Sequence, residues 1–295
     1  MQGFTPVGGA CPQAVRTGVR KISSTASPLR PRPAVRIGAE RKDRPVTASA
    51  ARSVIVGASA GLGRALAERL ARSGHRLYLI ASDARDLDPL GADLRLRYGA
   101  SVAGHAIDLG APFDTTALRD EIHGTLGGVD DLFLVAGRFE TEHPHEIAPD
   151  LMEKMIRVNF GAPLAIANVL LPDLKMARAA NCVAIGSIAT SRARGRHFVY
   201  GACKRGLEFY FDALRHHLVG SRCKVQFYRL GYLRTQMTFG KNLILPVTDP
   251  QRAAAVIERG LGRDRGIRYL PWWWRPVMGA YRSIPWPIYR RMVIQ

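Results

Sequence analysis

The chain has 295 residues, 47% of them hydrophobic and 23% charged, which allows a sizeable core and excludes a wholly disordered chain. Its 43 Lys and Arg residues outweigh 24 Asp and Glu, and the net charge of +19 predicts attraction to something anionic. Four cysteines, Cys11, Cys182, Cys203 and Cys223, show no metal-ligand spacing and read as reduced thiols rather than a disulfide framework.

Residues 1–52 carry ten basic residues and only two acids, Glu40 and Asp43. They show no hydrophobic period, and Pro28, Pro31, Pro33 and Pro45 break any helix. This leader reads as disordered, with an organellar transit peptide as the alternative.

From Ser53 strands and helices alternate. Expected strands are Ser53–Gly57, Arg76–Ala81, Ser101–Ile107, Asp131–Ala136, Asn181–Ile188, Cys223–Leu230 and Gly266–Leu270. Helical patterns fall between them: through Leu62, Leu66 and Leu70; through Leu87, Leu90, Leu94 and Leu96; near Thr115–Leu126; over Pro149–Met176; over Phe198–Leu218; and over 249–261. This alternation predicts a single α/β domain over 53–270, a doubly wound parallel sheet of about seven strands with its ligand at the strands' carboxyl ends. The longest uncharged apolar stretch, between Arg157 and Asp173, is 15 residues. A membrane span needs roughly 18–20, so none is expected.

The first strand runs into Gly57, Ser59, Gly61, Leu62 and Gly63 at the start of a helix. Glycines there permit a tight turn and close approach of a pyrophosphate to helix N-terminal amides. Asp108 follows the third strand, where a carboxylate accepts from an adenine amino group. Ala136 and Gly137 end the fourth strand with small residues that let a ribose pack close. Ser82 suits a 2′-phosphate, Asp83 opposes one and Arg85 is its counter-charge, which tips the expectation slightly to NADPH over NADH.

Tyr200 and Lys204 stand at i and i+4 on one predicted helix, on a shared face. The lysine's charge is expected to lower the tyrosine pKa toward working pH, fitting it to exchange a proton with a carbonyl or hydroxyl oxygen. Ser187 ends the fifth strand and can polarise the same oxygen. Asn159 inside the long helix calls for a hydrogen-bond partner, and a relay water leading to Lys204 is one.

These residues, in this order, resemble the short-chain dehydrogenase/reductase family across about Ser53 to Leu270. The resemblance implies a Rossmann sheet, hydride transfer between NAD(P)H and a carbon-bound oxygen, and a tetrad of Asn159, Ser187, Tyr200 and Lys204. It also implies that Lys204 holds the nicotinamide ribose, that Gly231 and Thr235 approach the nicotinamide, and that the protein is a homo-oligomer. The sequence departs from the family at Val56, at Leu134-Val135 and at Leu230, none of them in the tetrad. The alternative is a non-catalytic nucleotide-binding protein of the same fold.

Two features bear on the substrate. Arg192, Arg194 and Arg196 follow Ser187 and suit a phosphate. Residues 271–295 hold all four tryptophans, with Arg275, Arg282, Arg290 and Arg291 and no acid. Such a tail suits an anionic membrane interface, and a lid on the substrate cleft or a dimer contact are the other readings. It is similar to the C-termini of reductases acting on polyprenyl-phosphate sugars, the type of the decaprenylphosphoryl-ribose 2′-epimerase reductase subunit. A small or lipid-linked keto-sugar substrate is therefore expected, in a cytoplasmic, peripherally membrane-associated enzyme, with organellar import left open. No nucleic-acid module accompanies the charge, so nucleic acid is not an expected partner.

Overall fold

The computed structural model describes residues 50–140, 147–193, 197–235 and 245–292. The leader through residue 49 and the loop positions Arg194, Gly195 and Arg196 lie outside the described residues. Seven strands form one parallel sheet in the order β3-β2-β1-β4-β5-β6-β7. They are β1 (Arg52–Val56), β2 (Arg76–Ala81), β3 (Val102–Ala106), β4 (Asp131–Leu134), β5 (Ala180–Ser187), β6 (Cys223–Leu230) and β7 (Gly266–Leu270). Strand order reverses between β1 and β4, which opens a crevice at their carboxyl ends.

Helices cover both faces, as near-continuous apolar strands require. On one side α1 (Gly61–Arg72), α2 (Ala84–Tyr98) and α7 (Pro250–Glu258) bury Leu66, Leu70, Leu90 and Ile257 against Ile55, Leu79 and Val183. On the other, α3 (Thr115–Leu126), α5 (Ala162–Met176) and α6 (Phe198–His217) bury Ile122, Ile166, Leu170 and Phe211 against Val54, Leu132 and Phe227. At the amino ends of the central strands, opposite the crevice, Asp131 accepts from Ser53 Oγ (3.0 Å) and Asn181 Nδ2 (2.7 Å), a buried brace across three strands. Cys182, Cys203 and Cys223 are buried free thiols.

The long helix expected over Pro149–Met176 is α4 (Pro149–Ile156) and α5 joined by a π-helical turn, Arg157–Gly161. By length and a mean hydropathy of 1.3 this 28-residue run passes as a membrane span. Its residues Ile166, Leu170 and Leu174 are instead fully buried in the core against the sheet. Beyond β7, the prolines divide the tail into α8 (Trp274–Ser283) and α9 (Trp286–Tyr289).

Candidate active site

The turn after β1 is shaped by its neighbours. Gly57 adopts φ +88°, and a methyl group there would fall 2.6 Å from the Ala136 amide nitrogen. A methyl at Gly63 would fall 1.9 Å from the Gly57 carbonyl oxygen. Both positions therefore exclude any side chain. Gly61 faces the Thr235 methyl, so the residue expected near the nicotinamide also touches the turn. Leu62 is buried, Ser59 is half-buried, and among the described residues no side chain caps the first amides of α1. Uncapped amides beside glycines that cannot accept a Cβ fit the pyrophosphate of a dinucleotide.

At the tip of β2, Ser82 is exposed. Asp83 caps α2 through the Arg85 amide and holds the Arg85 guanidinium at 2.6 Å, and these bonds keep its carboxyl below the usual range. The pair cancels its own charge, which removes most of the repulsion Asp83 would exert on a 2′-phosphate. Asp108 accepts from the Gly110 amide (2.9 Å) and from Lys154 Nζ (3.0 Å), which together lower its carboxyl pKa. Lys154, on α4, was not singled out in the sequence. Nothing local to Asp108 marks a partner 46 positions away.

The chemical end gathers on α6. Ser187 ends β5, and its Oγ accepts from the Ala189 amide at 3.1 Å. The same hydroxyl is hydrogen-bonded to the Tyr200 phenol, which it draws toward the ionised form. Phe139 packs edge-on against the Tyr200 ring at 5.2 Å and fixes its orientation. Burial outweighs the serine and pushes the Tyr200 pKa up to about 12. This reverses the expected direction, because desolvation of the phenolate outweighs the groups that favour it.

Lys204 is itself buried, and desolvation brings it down to about 8. Its ammonium donates to the carbonyls of Ala136 (3.1 Å) and Ile185 (3.3 Å), at the ends of β4 and β5. That leaves one of its three N–H donors for a further acceptor in the crevice. Gly137 keeps this space open, since a methyl there would stand 3.3 Å from Lys204 Nζ and 3.4 Å from Asn159 Oδ1.

Asn159 is fully buried in the π-helical turn. Its amide donates to the carbonyls of Arg138 (2.7 Å) and Met155 (2.9 Å) and accepts from the Arg138 amide (3.1 Å). Both its N–H groups are thus spent on the backbone. Its link to Lys204 runs through the 136–138 segment that both residues grip.

A buried carboxylate supports this end from behind. Glu208, one turn after Lys204, receives both arms of Arg229, the Arg205 guanidinium and the Thr190 hydroxyl. Thr190 Oγ1 lies 2.8 Å from the Ser187 carbonyl oxygen and 3.2 Å from Glu208, so it shares its proton between them. Arg229 also donates to Tyr269, whose hydroxyl meets Ser191. The sequence signal for Glu208 was an acid at i+4 from Lys204, on the inward stripe of α6.

The tail packs against the segment that follows Ser187. Trp274 is 1% exposed, stacks on Trp273 at 4.6 Å, and packs with Ile188, Met278 and Tyr232. Its indole presses on Gly231, where a methyl would fall 1.8 Å from Nε1. Gly231 is thus required by Trp274, whatever it does for a nicotinamide. One arm of Arg192 is taken up by the tail. Its Nη1 donates to the carbonyls of Tyr281 (2.9 Å) and Ile284 (2.7 Å), and its guanidinium lies 3.7 Å over the Tyr289 ring. Tyr289 in turn donates to the Ala193 carbonyl at 2.6 Å. Arg194 and Arg196 lie outside the described residues.

Comparison with known proteins adds to this geometry. The family model for short chain dehydrogenase matches residues 52–243. An uncharacterized oxidoreductase of Mycobacterium tuberculosis is 30% identical over 251 residues, covering 82% of this chain and 97% of the relative. One of Streptomyces coelicolor is 28% identical over 256 residues, 82% of this chain and 95% of the relative. Among solved structures, a short-chain dehydrogenase from Sphingobium yanoikuyae in complex with NADPH superposes with a TM-score of 0.69 at 27% identity, covering 80% and 97% of the two chains. L-sorbose reductase from Gluconobacter frateurii, at 20% identity, TM-score 0.68 and 75% and 94% coverage, shares the fold.

Proposed function

This chain belongs to the short-chain dehydrogenase family, and from that membership we propose that it is an NAD(P)H-dependent reductase converting a carbonyl to a secondary alcohol. The observation that carries the reading is the Ser187–Tyr200 hydrogen bond with Lys204 one turn away. The glycine turn, the uncapped start of α1, Ser82, Asp108, Ala136 and Gly137 are the residues that would hold the dinucleotide. When bound, that cofactor supplies the hydride.

The protein's own part is acid–base and positional. Tyr200 is a neutral phenol at physiological pH, since its pKa is pushed up to about 12. It therefore donates its proton to the carbonyl oxygen as negative charge grows there. Ser187 donates to the same oxygen and orients it. The Lys204 ammonium, in its low-dielectric pocket, favours the phenolate left behind and offers its remaining N–H to a ribose hydroxyl. Asn159 holds the backbone on which Lys204 rests.

NADPH is the cofactor we favour. The neutralised Asp83–Arg85 pair supports this, as does the NADPH bound by the Sphingobium relative. For the substrate we favour a lipid-linked keto-sugar. The aromatic, arginine-rich tail that packs against the segment after Ser187 supports that choice, and Arg192 is no part of its support.

Turnover of the full chain with NADPH and NADH against keto-sugars, keto-acyl compounds and simple ketones tests the whole reading. NADPH oxidation dependent on a ketone is expected. Tight dinucleotide binding with no turnover on any carbonyl would favour the non-catalytic alternative.

A further inference from the structure

The tail has two chemically different sides. Its inner side is consumed by the fold: Trp274 and Met278 are buried, and Tyr281 and Tyr289 bracket Arg192. Its outer side carries Trp272 at 78% exposure and Trp286 at 65%, with Val277, Ile288 and Met292 also exposed. Interleaved with them stand four exposed arginines, Arg275, Arg282, Arg290 and Arg291. No acid occurs from Pro271 to Met292.

We propose that this outer face seats the protein on an anionic lipid headgroup layer. Tryptophan rings gain most at headgroup depth, where the indole body leaves water and its N–H stays hydrated. Val277, Ile288 and Met292 offer no ring for a nucleic-acid base to stack on, but each gains on entering the acyl boundary. The arginines match phosphate bidentately, and a cation near an anionic bilayer contributes about a fivefold gain in binding. Arg192 locks the tail to the segment just after Ser187, so the seat lies next to the catalytic loop. A lipid-borne substrate would then reach the site from the surface on which the enzyme rests. The seat itself does not depend on which substrate is reduced.

The test uses the full chain and vesicles of equal phosphatidylglycerol and phosphatidylcholine, with pure phosphatidylcholine as the comparison. Co-sedimentation is expected with the anionic vesicles and not with the neutral ones, falling as salt rises. Arg275→Gln and Arg282→Gln should each weaken binding about fivefold. The double variant Trp272→Ala/Trp286→Ala should lose most of it while keeping its melting temperature, since both rings lie outside the packed core. In the unmodified protein, brominated lipid should quench tryptophan fluorescence, a readout that needs no variant. Equal pelleting on both vesicle types, or pelleting unchanged in all variants, would overturn the proposal. So would retention by a DNA duplex without vesicle binding, or variants that lose self-association and nothing else.

Discussion

Tyr200 and Lys204 stand one helical turn apart, and burial drives both toward their uncharged forms: the phenol up to about 12, the ammonium down to about 8. At neutral pH the pair is a proton-bearing acid next to a cation, the arrangement suited to reduction. Tyr200→Phe should lower kcat at least 10²–10³-fold, within the usual range for loss of a general acid. Dinucleotide affinity should change little. Ketone reduction within tenfold of the unmodified rate would remove Tyr200 from the chemistry.

Lys204 sets an upper pH limit. As pH rises through about 8 its charge is lost, and with it the favourable field on the developing phenolate. The reduction rate should fall across that region while Tyr200 is still protonated. A profile flat to pH 10 would show that the lysine's charge is not used.

The same burial makes Lys204 costly to the fold. Between about 8 and its ordinary value of 10.5 the unfolded chain holds more protons than the folded one, so this group's contribution to stability rises with pH across that window. At pH 7 the charged form costs roughly 1–3 kcal/mol. Lys204→Met should therefore be inactive yet more stable by about that amount at pH 7, with the advantage shrinking above pH 8. Thermal melts across pH 7–10 check this, and a lower melting temperature at pH 7 contradicts it.

Glu208 is linked to the Ser187 segment through the Thr190 hydroxyl, and the expectation is that it positions that segment. Glu208→Gln leaves the Arg229 guanidinium without its carboxylate and should cost about 3 kcal/mol. It should also reduce kcat through Thr190 and the Ser187 segment, with little change in KM for the dinucleotide. Thr190→Val separates the two effects: it cuts the same link to Ser187 but should cost only about 1 kcal/mol. A kcat unmoved in Thr190→Val would confine Glu208 to a structural role.

Gly231→Ala places a methyl group 1.8 Å from Trp274 Nε1. Overpacking of this kind costs about 1–3 kcal/mol. Trp274 Nε1 is buried and has no hydrogen-bond partner among the described residues, so Trp274→Phe relieves both the clash and the unsatisfied donor. The double variant should be more stable than the sum of the single changes predicts, by denaturant titration. Simple additivity would mean that the two residues do not press on each other.

The grouping of Asn159, Ser187, Tyr200 and Lys204 at one end of the sheet was legible because they sit at motif spacings on elements that the hydrophobic period identifies. Gly57 and Gly63 were legible for a similar reason, as the turn they make is local. Lys154 on Asp108, Arg229 on Glu208 and Trp274 on Gly231 were not. Each joins residues from different elements, and periodicity gives the face of an element without naming what it meets. Arg192 belongs with them: a cation in a loop looks wholly available until backbone carbonyls at the end of α8 engage one of its arms. For Tyr200 the sequence displays the neighbouring charge but not the depth of burial, and burial decided the direction.

The clasp between Arg192 and α8 also orders events during synthesis. The tetrad is complete in the nascent chain once Lys204 has been made, but the carbonyls that anchor the loop behind Ser187 come some eighty positions later. The loop behind Ser187 therefore acquires its anchor well after the four residues themselves have been synthesised.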